Sequence, residues 1–145
     1  MNLLKIKIDP KTEECIPYYA TPGSSGLDLK AHLDRPVIIV SKESALISTG
    51  LRLEIPHGHE GQIRSRSGLA VRHGVFVLNS PGTIDADYRG EVNVILYNAG
   101  RSAYTVENGD RIAQLVFSQV QHVELEVSTL SDTSRGSGGF GSTGV

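Results

Sequence analysis

Apolar and polar residues alternate in short stretches along most of this chain, and turn signals break each stretch. Leu4, Ile6 and Ile8 alternate with Lys5 and Lys7. Leu51, Leu53 and Ile55 alternate with Arg52 and Glu54, and Val123, Leu125 and Val127 with His122, Glu124 and Glu126. A period of two places every second side chain on one face, so each stretch reads as a half-buried strand. Val37–Val40, Val75–Leu78, Val92–Tyr97 and Leu115–Val120 are further strand candidates. Between them lie Asp9-Pro10, Pro22-Gly23, Pro56-His57-Gly58, Ser80-Pro81-Gly82, Asn98-Ala99-Gly100 and Asn108-Gly109-Asp110, all turn-forming combinations. No long amphipathic helix is present. One short helix is expected over Ser67–His73, with a serine available to cap it and Gly74 to stop it. This pattern predicts an all-β barrel or sandwich.

The 145 residues suit one domain, and a net charge of −2 gives no basic field for nucleic acid. The single cysteine, Cys15, excludes an internal disulfide, and a packing role is expected for it. No signal-peptide pattern and no membrane-length apolar run are visible, so the expected location is the cytoplasm, with no membrane partner. Composition shifts only after about Ser131. The expected division is therefore a β domain over residues 1–131 and a glycine-rich tail over 132–145.

Several segments could carry chemistry. Gly82-Thr-Ile-Asp-Ala-Asp-Tyr-Arg-Gly-Glu91 concentrates polar groups between apolar strands. Asp85 or Asp87 could activate a water as general base, and Tyr88 could wall a sugar; an ordinary hairpin turn is the alternative. In Gly61-Gln-Ile-Arg-Ser-Arg-Ser-Gly-Leu-Ala70, Ser67 and Gly68 at a helix start would offer free N–H groups to an anion, with Arg64 and Arg66 alongside; a capped helix beside a solvated charge cluster is the alternative. It is not a P-loop, because the lysine and the glycine spacing are missing. Asp28, between Leu27 and Leu29, reads as a solvent-facing strand residue. Gln114, flanked by apolar residues, needs partners from a structural network or from a ligand. His57-Gly-His59 is a weak zinc hint, with surface placement favoured. The tail Arg135-Gly-Ser-Gly-Gly-Phe-Gly-Ser-Thr-Gly-Val145 holds one cation and one ring among residues that cannot fix a conformation alone. It reads either as a disordered terminus or as a flap that orders over a flat, phosphorylated ligand.

Taken in order, Ser25-Gly-Leu-Asp-Leu-Lys-Ala31, Arg66-Ser-Gly-Leu-Ala70, Gly82 to Glu91, Gly109-Asp-Arg-Ile-Ala-Gln-Leu115 and Arg135 to Gly144 resemble the five motifs of the homotrimeric dUTPase family. The resemblance covers nearly the whole chain. It implies a distorted β jelly roll of the β-clip type, three chains sharing three active sites, and hydrolysis of dUTP to dUMP and pyrophosphate with Mg²⁺ on the triphosphate. Asp85 then matches the water-activating base, with attack at the α-phosphorus. Tyr88 matches the ring that leaves no space for a 2′-hydroxyl. Asn79, Gly82, Thr83, Ile84 and Asn93 match the uracil pocket. Arg66, Ser67, Gly68 and Gln114 match the phosphate side, and Asp28 the acid near the metal's water shell. Arg135, Phe140, Gly141 and Ser142 match the closing flap, with Phe140 over uracil. Ser65 stands where many members have proline, and Asn93 where many have lysine. The alternatives on this scaffold are a dCTP deaminase-like enzyme and a non-catalytic trimeric nucleotide-binding module.

Overall fold

The computed structural model describes residues 3–144. Met1 and Asn2, at the start of the expected β domain, and Val145, at the end of the expected flap, lie outside the described residues. The strands are β1 (Lys7–Pro10), β2 (Tyr18–Tyr19), β3 (Leu27–Lys30), β4 (Val37–Ile39), β5 (Ser44–Glu54), β6 (His59–Arg64), β7 (Val75–Val77), β8 (Gly82–Ile84), β9 (Glu91–Asn98), β10 (Tyr104–Val106) and β11 (Arg111–Gln119). One helix, α1 (Ser67–His73), and a 3-10 turn at Glu13–Cys15 complete the set.

All pairings are antiparallel. One sheet has the order β1-β5-β9-β7, a second β2-β3-β11-β6-β8, and a two-stranded ribbon joins β10 to β4. The three sheets close on a single core. Leu29, Ile63 and Leu115 from the five-stranded sheet meet Ile47, Leu51, Val94 and Leu96 from the four-stranded sheet, with Ile39 and Val106 from the ribbon. The architecture is a distorted jelly roll. Alternation explains the burial: along β9, Val92, Val94, Leu96 and Asn98 are buried while the residues between them are half-buried.

The strand at β5 is longer than the alternation at Leu51–Ile55 predicts. Its ladder with β9 slips register between Ser48 and Arg52. Gly50 there has φ +67, and a methyl on it would lie 2.6 Å from the Cys15 sulfur. Both the backbone and the packed thiol therefore require glycine. Cys15 is buried, as a packing residue should be.

Two local expectations need correction. The helix spans Ser67–His73, but its N-cap is Arg66 and no side chain caps it, so Ser67 is the first helical residue. Gly74 ends it in the left-handed conformation, φ 67, its N–H donating to the Ala70 carbonyl at 3.0 Å. The expected strand over Val123–Val127 is not formed. Val123, Leu125 and Val127 are 73%, 89% and 105% exposed. Alternation marks a segment that could be half-buried, but a strand also needs an edge to pair with, and this segment takes none among the described residues. No helix among the described residues is long and apolar enough to cross a membrane.

Asn98 pins the end of β9 to the turn beyond it. Its buried side chain donates to the carbonyls of Ile39 and Ser102, each at 2.8 Å, and accepts from the Gly100 N–H at 2.9 Å. Asn98→Ala strands these groups, at about 1–3 kcal/mol for a buried polar group left unpaired. Urea unfolding at fixed protein concentration should show a lower midpoint with an unchanged slope. An unchanged midpoint would contradict this role.

Candidate active site

Strand β8 lies at the edge of its sheet. It pairs with β6 through Gly82–Ile63, Thr83–Gln62 and Ile84–Gly61, so backbone N–H and C=O groups on its other side have no ladder partner. The residues of β8 border a cavity of about 310 Å³. Gly82 and Ile84 contribute to its wall, and Asn79, Thr83, Asp85, Tyr88, Glu91 and Asn93 add polar groups. Leu46, Ile63, Val77, Val92, Val94 and Ile95 add apolar side chains to that of Ile84. A concave site that mixes apolar walls with convergent polar groups suits a small polar molecule.

The turn after β8 separates the two aspartates. The Tyr88 N–H donates to the Asp85 carbonyl at 3.1 Å. Asp85 lines the cavity; Asp87 does not. Asp87 borders a neighbouring cavity of about 600 Å³ with His57, His59 and His122, and Asp85 borders both. The His57 and His122 rings stack 5.5 Å apart. Among the described residues no group of three His, Cys, Asp or Glu side chains is arranged to hold a metal ion.

Glu91 fixes the far wall. Its carboxylate accepts from the Ser48 hydroxyl, from the Gly50 N–H at 2.8 Å and from Lys11 Nζ at 3.1 Å. Burial alone raises its pKa. The bonds from Ser48, Lys11 and Gly50 outweigh that and hold the carboxyl below its ordinary value. The Glu91 carbonyl accepts from the Tyr88 hydroxyl at 2.9 Å and from the Asn93 side-chain amide at 3.3 Å. The Asn93 side chain is thus turned back onto its own strand.

A second polar cluster forms where β3, β11 and the start of α1 meet. Asp28 is not solvent-facing: it is 8% exposed, with one carboxylate oxygen 3.3 Å from Arg66 Nε and the other 3.3 Å from Arg111 Nη1. Burial and two guanidinium partners replace the solvent that alternation with Leu27 and Leu29 suggested. Arg66 also donates to the Arg111 carbonyl at 3.1 Å. Gln114 donates to the Ser65 carbonyl at 2.9 Å and packs so closely on Gly26 that a methyl there would lie 2.7 Å from its amide oxygen. The Ser65 hydroxyl accepts from the Val77 N–H at 3.0 Å. Serine at 65 therefore ties the turn before α1 to β7. Ser67 and Gly68 begin the uncapped helix, whose first N–H groups are free to meet an anion. One carboxylate against two guanidiniums leaves this cluster net cationic.

The chain does not bring these two clusters into one cavity wall. Asp28, Arg66, Ser67, Gly68 and Gln114 take no part in the 310 Å³ cavity, nor do Arg135, Phe140, Gly141 and Ser142. In the tail, Arg135 donates to the Gly138 carbonyl at 2.8 Å and the Phe140 ring is fully exposed. Reading the sequence missed Arg111 and Glu91. Arg111 lies 83 residues from Asp28, and the only signal was that an acid and an arginine both occupy the strands that later pair.

A family model described as dUTPase matches residues 12–144. Curated proteins called deoxyuridine 5′-triphosphate nucleotidohydrolase are similar at full length. The one from Chlamydia muridarum is 55% identical over 131 residues, 89% of this chain and 90% of that protein. The one from an Anaeromyxobacter species is 58% identical over 130 residues, 89% and 87% respectively. Among solved structures, the dUTPase of Staphylococcus bacteriophage 80alpha with dUpNHpp superposes with a TM-score of 0.82 at 26% identity, covering 97% of this chain and 99% of that one.

Glu91→Gln tests the anchored wall. A carboxylate whose pKa is held below the ordinary 4.5 contributes stability above that value and loses it as pH falls through the lower folded value. Hydrogen bonds to charged groups contribute roughly 1.5–3 kcal/mol, less where partly exposed as here. Thermal unfolding should show the variant melting several degrees lower near pH 7, with the gap narrowing as pH falls below 4.5. A gap of equal size at both would contradict the assignment.

Proposed function

The chain belongs to the dUTPase family, and we propose on that premise that it hydrolyses dUTP to dUMP and pyrophosphate by the chemistry of its own cavity and cradle. The single observation that carries the reading is the placement of Asp85 and Tyr88 on one cavity with the free edge of β8. Uracil presents acceptor, donor and acceptor along one edge. A bare strand edge can match that order, helped by the side-chain amide of Asn79. Cytosine would bring a donor where an acceptor is needed, a buried mismatch of roughly 1–3 kcal/mol. Tyr88 packs on the deoxyribose and closes the space a 2′-hydroxyl would need.

Asp85 accepts a proton from a water whose oxygen attacks the α-phosphorus. The bond from that phosphorus to its bridging oxygen breaks, and pyrophosphate leaves with the electron pair. Such transfers depend on positioning and charge neutralisation. Arg66 and the helix-start N–H groups of Ser67 and Gly68 hold phosphate oxygens, with Gln114 beside them. Asp28 and the Arg111 carbonyl orient the Arg66 guanidinium. Mg²⁺, bound to the triphosphate, would neutralise phosphate charge. The donors fit a metal that arrives with the substrate: no carboxylate cage exists among the described residues, and magnesium takes phosphate and water oxygens readily. Asp28, with lone pairs beyond its two guanidinium contacts, would meet that metal through water.

Residues 132–145 act as a flap, Arg135 on the γ-phosphate, Phe140 over uracil, and Gly141 and Ser142 closing the backbone behind them. Three chains build the working enzyme. The cavity and the cradle do not share walls within one chain, and the apolar alternation at Val123, Leu125 and Val127 is exposed until a neighbour covers it. A nucleotide-pool enzyme of this kind works in the cytoplasm, without nucleic acid or membrane.

Offered dUTP, dCTP and UTP with Mg²⁺, the protein should release pyrophosphate from dUTP alone. Ammonia from dCTP would sink the reading in favour of a deaminase. Asp85→Asn should keep nucleotide binding and lose about 10²–10⁴-fold in turnover; near-normal turnover would remove Asp85 from the base role. Deleting residues 135–145 should leave a folded protein with little activity, and normal hydrolysis by that truncation would make the segment a mere terminus.

A further inference from the structure

Gly90 is not explained by its backbone, because its φ lies outside the left-handed region that demands glycine. Space explains it instead. A methyl on Gly90 would lie 2.5 Å from Cζ and 2.8 Å from Cε2 of Tyr88, and closer still to the hydroxyl. The Tyr88 ring therefore packs directly against the Gly90 Cα, and no other residue type leaves it that position. The far end of the ring is tied down as well: its hydroxyl donates to the Glu91 carbonyl at 2.9 Å. Glu91 is in turn held by Ser48, Gly50 and Lys11. Yet the ring is 45% exposed, so it has room to swing away if displaced.

We infer that Gly90 is a specificity-determining positioning residue: its missing side chain lets the Tyr88 ring lie where it closes the space beside the sugar. The inference rests on the reading of Tyr88 as the sugar wall and adds the residue that places it. Alanine at 90 would push a mobile ring rather than buried backbone, so the fold should survive while the wall moves. Gly90 touches no substrate, and its effect should pass entirely through Tyr88.

A double-mutant cycle reads this directly. In Gly90→Ala, the ratio of kcat/KM for dUTP over UTP should fall by about tenfold or more. In the Tyr88→Ala background, adding Gly90→Ala should change that ratio by less than about twofold. An undiminished effect in that background, or an unchanged ratio in the single variant, overturns the inference. A second measurement needs no turnover. The chain has five tyrosines; in 3-fluorotyrosine-labelled protein, the Tyr88 fluorine resonance, assigned with Tyr88→Phe, should move in Gly90→Ala while the other four stay. An unmoved resonance overturns the inference even if the protein leaves dUTP untouched, an outcome that by itself would remove only the proposed function. If Gly90→Ala does not fold, the double variant should, since the clash is gone; failure of both places Gly90 in the fold and overturns the positioning role.

Discussion

The pairing of β5 with β9 governs both the interior and the site. One face of β9 buries Val92, Val94 and Leu96 against Ile47 and Leu51. Where β5 slips register between Ser48 and Arg52, Thr49 reaches across to donate to the Val92 carbonyl at 2.5 Å, and Glu91 takes the Ser48 hydroxyl and the Gly50 N–H. The irregularity gives β9 a rigid start. From that start hang the carbonyl that holds Tyr88 and the wall that carries Asn93. A regular ladder would keep the core but leave Glu91 without its donors. A bulge of this kind trades ladder hydrogen bonds for side-chain anchors at a functional edge.

The alternation of apolar residues foretold the fold class, because the same period that marks a strand also decides which face is buried. The short helix and its Gly74 stop were legible for an equally local reason. What the sequence hid was long-range. Asp28 looked solvent-facing because alternation cannot see Arg66 arriving from the start of α1 and Arg111 from β11. Glu91 looked like the end of a turn because its donors come from residues some forty positions earlier. Val123–Val127 shows the opposite failure: the pattern of a strand is present, but within this chain the edge it would pair with is not.

The candidate residues divide by chemistry as well as by place. The cavity beside β8 combines backbone and amide groups with the carboxylates of Asp85 and Glu91, and on the proposed reading it recognises base and sugar. The cluster around Arg66 is an electrostatic surface, with a buried acid whose first job is to aim a guanidinium. Hydrolysis of a nucleoside triphosphate needs both, one for the base and sugar and one for the phosphates. The two groups of residues do not line one cavity within a single chain, and that is the observation on which the proposed assembly rests.

Subunit mixing tests that claim most directly. Asp85→Asn and Arg66→Ala chains, each of low activity alone, would be unfolded, combined in equal amounts and refolded together. If a site draws the base and the cradle from different chains of a closed symmetric assembly, about a quarter of the sites regain both intact halves, and dUTP hydrolysis should rise to that level. Activity no higher than that of the separate variants would mean that each chain supplies both halves itself, and would contradict the account.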